Sequence, residues 1–379
     1  MQQFSRRILL SILGFSTIAS LTASGQGTSG TQTGNGNAVF AMTNDATRNE
    51  IVAYQRTQAG LFEIYRLPTG GRGSGGVNDP LQSQGSLVFS QDYSLLYAAN
   101  AGSGTISVFK VKGAFLTMVD KVSSGGSEPL AIAESRGSVY VLNGAAAGSV
   151  VGFQWTGIQL RRIPNSTVFL SGTSAGGSSI TISMDGKTLA VTERLTNSID
   201  TFKINSNGTL GPIVVNAGLP AGVFSARFAP NGALIVSETG PAGAANGSTV
   251  SSYTVQVDGT LAAIGQTVPT LGAANCWNAI TPNGQWVYTS NAGSSNISGF
   301  AIAKNGALTP LGSTIVGTNP PNTGNLDMVV SADGNYLYTL NSAAGSISVF
   351  TINKDGSLTS NDQVTGLPKN AGFNGIAAN

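Results

Sequence analysis

One short apolar motif ending in Asn or Glu recurs seven times: Phe40-Ala-Met-Thr-Asn44, Leu96-Tyr-Ala-Ala-Asn100, Val139-Tyr-Val-Leu-Asn143, Leu189-Ala-Val-Thr-Glu193, Leu234-Ile-Val-Ser-Glu238, Val287-Tyr-Thr-Ser-Asn291 and Leu337-Tyr-Thr-Leu-Asn341. After each copy comes a strand with a central aromatic: Tyr54, Phe109, Phe153, Phe202, Tyr253, Phe300 or Phe350. These aromatics are roughly 49 residues apart, a period that suits one four-stranded repeat unit. Turn dipeptides separate the strands. Asn207-Gly208, Asp258-Gly259, Asn305-Gly306 and Asp355-Gly356 lead into an outer strand, while Asp185-Gly186, Asn231-Gly232, Asn283-Gly284 and Asp333-Gly334 precede the Asn/Glu-ending one. Such dipeptides supply the backbone that tight hairpins need.

The first unit lacks an innermost strand, and the chain ends in Gly372-Phe-Asn-Gly-Ile-Ala-Ala-Asn379, which matches the innermost strands of the other units. The sequence therefore predicts an all-β, seven-bladed β-propeller with four-stranded blades, its ring closed by the C-terminal strand completing blade one. Closure of this kind leaves no unpaired inner edge. A sandwich or an open array is the alternative.

Before the repeats, Arg6 and Arg7 precede an apolar run from Ile8 to Leu21 and small residues from Ala23 to Gly25. That is the layout of an export signal, and the run is too short for a bilayer core of ~30 Å. Residues 1–25 are expected to be the signal, 26–37 a flexible Gly/Ser/Thr leader and 38–379 the propeller. The protein is accordingly expected to be secreted, periplasmic or on the cell surface, by either the general or the twin-arginine route, with no stable membrane insertion once the signal is gone.

Of 19 basic residues, Arg6 and Arg7 lie in the signal, so the mature chain balances 17 bases against 17 acids. A neutral chain offers no electrostatic footprint for phosphate backbones, and no nucleic-acid partner is expected. Cys276 is the only cysteine and there is no histidine. An intrachain disulfide, a Ser-His-Asp triad and a His/Cys site for zinc are thereby excluded.

In a propeller the loops between the second and third strands, and those between blades, share one face around the channel, which is the default site. Asn44, Asn100, Asn143, Glu193, Glu238, Asn291 and Asn341 are expected to ring that face, either as a binding rim or as turn caps holding neighbouring loops. Glu193 and Glu238 place carboxylates where the repeat otherwise supplies amides, and are the candidate catalytic pair. The starts of the innermost strands bring Glu128, Ser178, Ser225, Arg227, Trp277, Asn278, Asp327 and Asn374 toward the same mouth. Trp277 could stack on a sugar-like ring or pack in a blade. Arg227 could pair with a rim Glu or bind an anion.

The repeat form resembles the lactonase-type seven-bladed propellers, the family of propeller 6-phosphogluconolactonases and carboxymuconate cyclases, and shades into related Tyr-Val-Thr-Asn repeat proteins. Ser183-Met-Asp-Gly-Lys187 or Ala229-Pro-Asn-Gly232 precedes the apolar strand, and Ser346-Ile-Ser-Val-Phe350 and Lys354-Asp-Gly-Ser-Leu358 follow it. The resemblance spans residues 38–379 and implies the fold and lactone hydrolysis. It also implies a Pro-His pair on one innermost strand, a Gly-Pro-Arg-His run on the next, and a Glu near the end of a second strand. Those positions fall on Ser178, on Phe224 and Ser225, and on Glu238. Only the carboxylate is kept, and the candidate base and positive field are lost.

Two readings follow. One is a non-catalytic exported propeller whose Asn-rich face, with Asn100, Asn143, Ser178, Ser225, Arg227, Trp277, Asn291 and Asn341, binds a small neutral ligand, a glycan or a protein. The other is a lactone hydrolase using Glu238 as base with Glu193 assisting. No cofactor is expected, with Ca²⁺ on Glu193, Glu238 and rim Asn oxygens as the alternative.

Overall fold

The computed structural model describes residues 37–379 except 78 and 243, so the expected export signal and all of the leader but Asn37 lie outside the described residues. Seven antiparallel sheets follow one another along the chain. Blade four shows the plan: Gly177–Ile182 is innermost, followed outward by Thr188–Glu193, Ser198–Lys203 and Val214–Ala217. The outermost layer of blades three and five is split into two short strands, Leu160–Arg162 with Val168–Phe169 and Leu261–Ala263 with Val268–Pro269.

Closure is as the repeats predict. Ile376–Ala378 forms the innermost strand of blade one, pairing Val39 with Ala378, Phe40 with Ala377 and Ala41 with Ile376. Asn379 donates its backbone N–H to Ala38 O at 3.0 Å, and its Oδ1 accepts from Ala38 N at 3.0 Å. Arg56 of blade one reaches Asp333 of blade seven at 3.3 Å and lies 3.8 Å over the Tyr336 ring.

The core is a series of seams between blades. All seven third-strand aromatics are at most 2% exposed. Each such side chain removed from water contributes roughly 1.5–3 kcal/mol. The seam between blades seven and one gathers Val39, Val52, Tyr54, Tyr338, Ile347, Val349, Phe373 and Ile376. Tyr140 and Tyr288 also bond across seams, their hydroxyls donating to the carbonyls of Gly208 and Gly356 in the next blade. Cys276 is buried, and burial pushes its thiol well above the usual range. Among the described residues no helix is long and apolar enough to cross a membrane.

Candidate functional site

A β-bulge opens most innermost strands at the mouth, between Pro129 and Ala131, Gly177 and Ser179, Val223 and Ser225, and Asn275 and Trp277. Bulges re-aim side chains at the rims of closed β structures. Here Ser178 and Phe224 are equivalent bulge residues, and the position paired with the final Glu of each second strand, Gly177 or Val223, precedes them. Phe224 therefore stands outside the ladder's alternation, so Arg227 is not forced onto the opposite face by its sequence distance from Phe224.

What fills the mouth is the chain itself. The connection from blade one to blade two runs from Pro68 to Leu87, and its last part, Asp79 to Ser86, folds into the channel as a plug. Leu81, Ser83, Gln84 and Ser86 are all buried. Gln84 lies at its centre. Its backbone N–H donates to Ser178 O at 2.8 Å, forming an isolated parallel bridge with blade four. Its Nε2 donates to Asn278 O at 2.9 Å and to Asp327 Oδ1 at 3.0 Å, while its Oε1 accepts from Asn278 N at 3.3 Å. Ser83 Oγ donates to Leu130 O of blade three, and Gly85 O accepts from Ile132 N. Gly85 has φ +97, a backbone state that L side chains rarely adopt.

The mouth residues expected from sequence are gathered around this plug. Trp277 is 1% exposed, donates its Nε1 to Ser83 O at 2.9 Å and packs edge-on against Phe224, so its ring belongs to the interior. Asn374 donates to Asp79 Oδ1 and accepts from Ser86 Oγ. Ser178 Oγ donates to Phe224 O, and Ser225 Oγ accepts from Asn278 Nδ2. Arg227 pairs with neither rim glutamate. Its Nε donates to Asn278 O at 3.1 Å, and Asp327 supplies the opposite charge. Burial raises Asp327 to about 6, against the opposing pull of Arg227 and the Gln84 amide. Burial likewise raises Asp79 to about 7, although Gln82 and Asn374 donate to it. Glu128 has φ +59 at the entry to blade three.

The Asn/Glu series lies within the blades. Asn44, Asn100, Asn143, Asn291 and Asn341 are at most 1% exposed, as are Glu193 and Glu238. In blades two, six and seven the amide donates to the third strand: Asn100 to Ser107, Asn291 to Ser298 and Asn341 to Ser348, at 2.8–2.9 Å. Loop glycines press on these amides. A Cβ at Gly71, Gly126 or Gly272 would overlap Asn100, Asn143 or Asn291 respectively.

Blade four replaces that amide–hydroxyl pair with two carboxyls. Glu193 Oε1 accepts from Ser171 N at 2.7 Å, and Oε2 accepts from the hydroxyls of Ser171 and Thr196, both at 2.5 Å. Asp200 stands where blades two, five, six and seven carry Ser and blades one and three carry Val, and both its oxygens are buried without a donor. An ionised Asp200 would therefore be unsolvated beside another carboxylate, so it holds a proton and donates to Glu193. Burial and the Glu193 charge raise Asp200 to about 9. Burial opposes ionisation of Glu193 too, but bonds from Asp200, Ser171 and Thr196 outweigh it and hold Glu193 below the usual range. Asp200 is absent from the sequence reading, although its place seven residues after Glu193 matches Ser107, Ser298 and Ser348 after their Asn.

Glu238 is inside blade five. Its Oε2 accepts from Thr249 Oγ1 at 2.9 Å, its Oε1 has no donor, and burial raises it to about 8 despite help from Ser251 and Thr249. Glu193 and Glu238 thus have separate partner sets in separate blades. Among the described residues no group of three or more His, Cys, Asp or Glu is arranged to hold a metal.

Fold and mouth together define a closed seven-bladed β-propeller whose channel mouth is filled by its own chain. The family described as lactonase, 7-bladed beta-propeller, matches residues 233–328, spanning the second strand of blade five to the innermost strand of blade seven. No curated protein matches the chain. Among solved structures, a Bacteroides uniformis protein described as a candidate 6-phosphogluconolactonase is 18% identical, with a TM-score of 0.68 over 90% of this chain and 98% of that one. The periplasmic gluconolactonase PpgL of Pseudomonas aeruginosa is 16% identical, with a TM-score of 0.66 over 89% and 99%. A Desulfotomaculum acetoxidans protein of unknown function is 16% identical, with a TM-score of 0.69 over 90% and 98%. The chain is similar to this family in sequence over those two blades and shares the fold throughout.

Proposed function

We propose that the protein is an exported, non-catalytic propeller that binds a small neutral ligand, a glycan or a protein on its loop face. The carrying observation is the plug. Gln84 and its neighbours occupy the channel mouth, where a propeller lactonase would take its substrate, and they are bonded to blades three, four, six and seven. The candidate base adds weight. Glu238 is closed off inside blade five and neutral below about pH 8, and no imidazole exists to replace it. Contact with a partner then falls to the exposed loops that the buried Asn and Glu side chains anchor.

A panel of five- and six-membered lactones, assayed with wild type and Glu238→Gln, decides between binder and hydrolase. The expected outcome is no turnover above the buffer rate with either protein. Hydrolysis that rises through pH 8 and disappears in Glu238→Gln would instead establish the lactonase reading, since a general base acts only once ionised.

A further inference from the structure

On the opposite face, formed by the hairpin turns, a cleft of about 540 Å³ lies between blades three and four. Its floor is apolar, with Ile182 and Ile204 partly exposed and Ile163 beside them over the buried Tyr140, and its rim carries Arg136, Lys187 and Lys203 against the single acid Asp185. All three cations are exposed. Asp185 is already engaged, accepting from Ser183 Oγ at 2.6 Å and Lys187 N at 3.0 Å, with Lys187 Nζ at 3.9 Å. Glu134, on the same hairpin as Arg136, is turned to the backbone N–H groups of Gln91 and Gly137. The cleft therefore has a net positive rim in a chain whose 19 bases and 17 acids nearly cancel.

A second observation concerns the same arginine. Blade three makes its inner hairpin with a two-residue turn, Ser135 pairing with Ser138. Arg136 and Gly137 have φ of 52 and 83, the pattern of a type I′ turn. Asn, Asp or Gly is the ordinary residue at the first position; blades four to seven make longer turns here, in which only the Gly, and not the Asp or Asn before it, takes a positive φ. An arginine in left-handed backbone is less stable there than Asn, and such a departure is informative where it faces a cavity.

We infer that this cleft binds a small organic anion whose ring or chain rests on the Ile163–Ile182–Ile204 floor and whose anionic group meets Arg136, Lys187 and Lys203. The apolar floor requires a hydrophobic body, and the rim requires a negative headgroup. A guanidinium with two ammonium groups suits carboxylate or phosphate oxygens. This site is distinct from the loop face of the proposed function, so either can fail without the other.

Isothermal titration with benzoate, phenyl phosphate, inorganic phosphate and benzyl alcohol tests it. The two aromatic anions should bind saturably and weaken as salt rises. Benzyl alcohol and inorganic phosphate, each lacking half of the recognised chemistry, should bind at least tenfold more weakly. Lys203→Glu should weaken the aromatic anions about tenfold, the size expected for losing one partly desolvated charge contact. Arg136→Asn is the sharper variant, because Asn suits the turn. It should preserve or raise the melting temperature while weakening binding. No saturable binding by either aromatic anion, or binding unchanged in both variants, overturns the proposal. Preference for phenyl phosphate over benzoate, or the reverse, identifies the headgroup.

Discussion

At the scale of single residues, the notable groups are acids kept neutral by burial. Asp200 is raised from its ordinary 3.8 to about 9 and Glu238 from 4.5 to about 8. Between their ordinary and raised values the native protein holds protons that the unfolded chain has released, so stability falls as pH climbs through that window. The melting temperature should therefore decline from pH 5 to pH 9. Asp200→Asn, whose amide can donate to Glu193 without a proton to lose, should flatten part of that slope. Equal slopes in variant and wild type would show that Asp200 ionises freely. The sequence exposed half of this pair. Glu193 and Glu238 stand out as exceptions in an Asn series, but Asp200 belongs to a hydroxyl position on the third strand that the series does not contain. The orientation of all seven side chains was equally hidden, because the motif marks where a strand ends and leaves open which side its last residue takes.

At the scale of elements, the plug decides how the mouth is used, yet it carries no repeat and consists of polar loop residues. Its one sequence signal is length, since connections beyond about 12–15 residues without secondary structure are uncommon and frequently functional. Gln84→Ala would remove three bonds and leave the Asn278 backbone and Asp327 buried without them. The expected cost is roughly 3 kcal/mol, about 1 kcal/mol for each bond, since Asn278 O keeps its bond from Arg227 and Asp327 Oδ1 keeps that from the Met328 N–H. Chemical denaturation measures that loss, and hydrogen exchange across residues 79–86 should rise with it. A variant as stable as wild type, with unchanged exchange, would mean that the plug is held by its backbone alone. Turn chemistry was more legible. The Asp-Gly and Asn-Gly pairs marked the hairpins of blades four to seven, whereas Arg136-Gly137 was hidden because its first residue is not a turn former.

At the scale of the whole molecule, the ring was readable from the sequence because the same physical unit recurs until its only missing strand is found at the other terminus. Removing residues 373–379 takes away that strand together with Phe373 and Asn374, which serve the seam and the plug. Such a chain should lose its single cooperative unfolding transition and self-associate through the freed edge of blade one, as seen by denaturation and size-exclusion chromatography. A monomer with an unaltered transition would show that closure is dispensable. The positions of Gln84 and Asn379 also carry a kinetic consequence. Gln84 awaits partners 194 and 243 residues further along, and Ala38 awaits one 341 residues away. Contacts of such high order are slow to form. A chain still missing its final blade lacks the Asp327 and Asn374 partners of the plug and the strand that closes the ring, so the native state becomes accessible only after synthesis has reached the last strand.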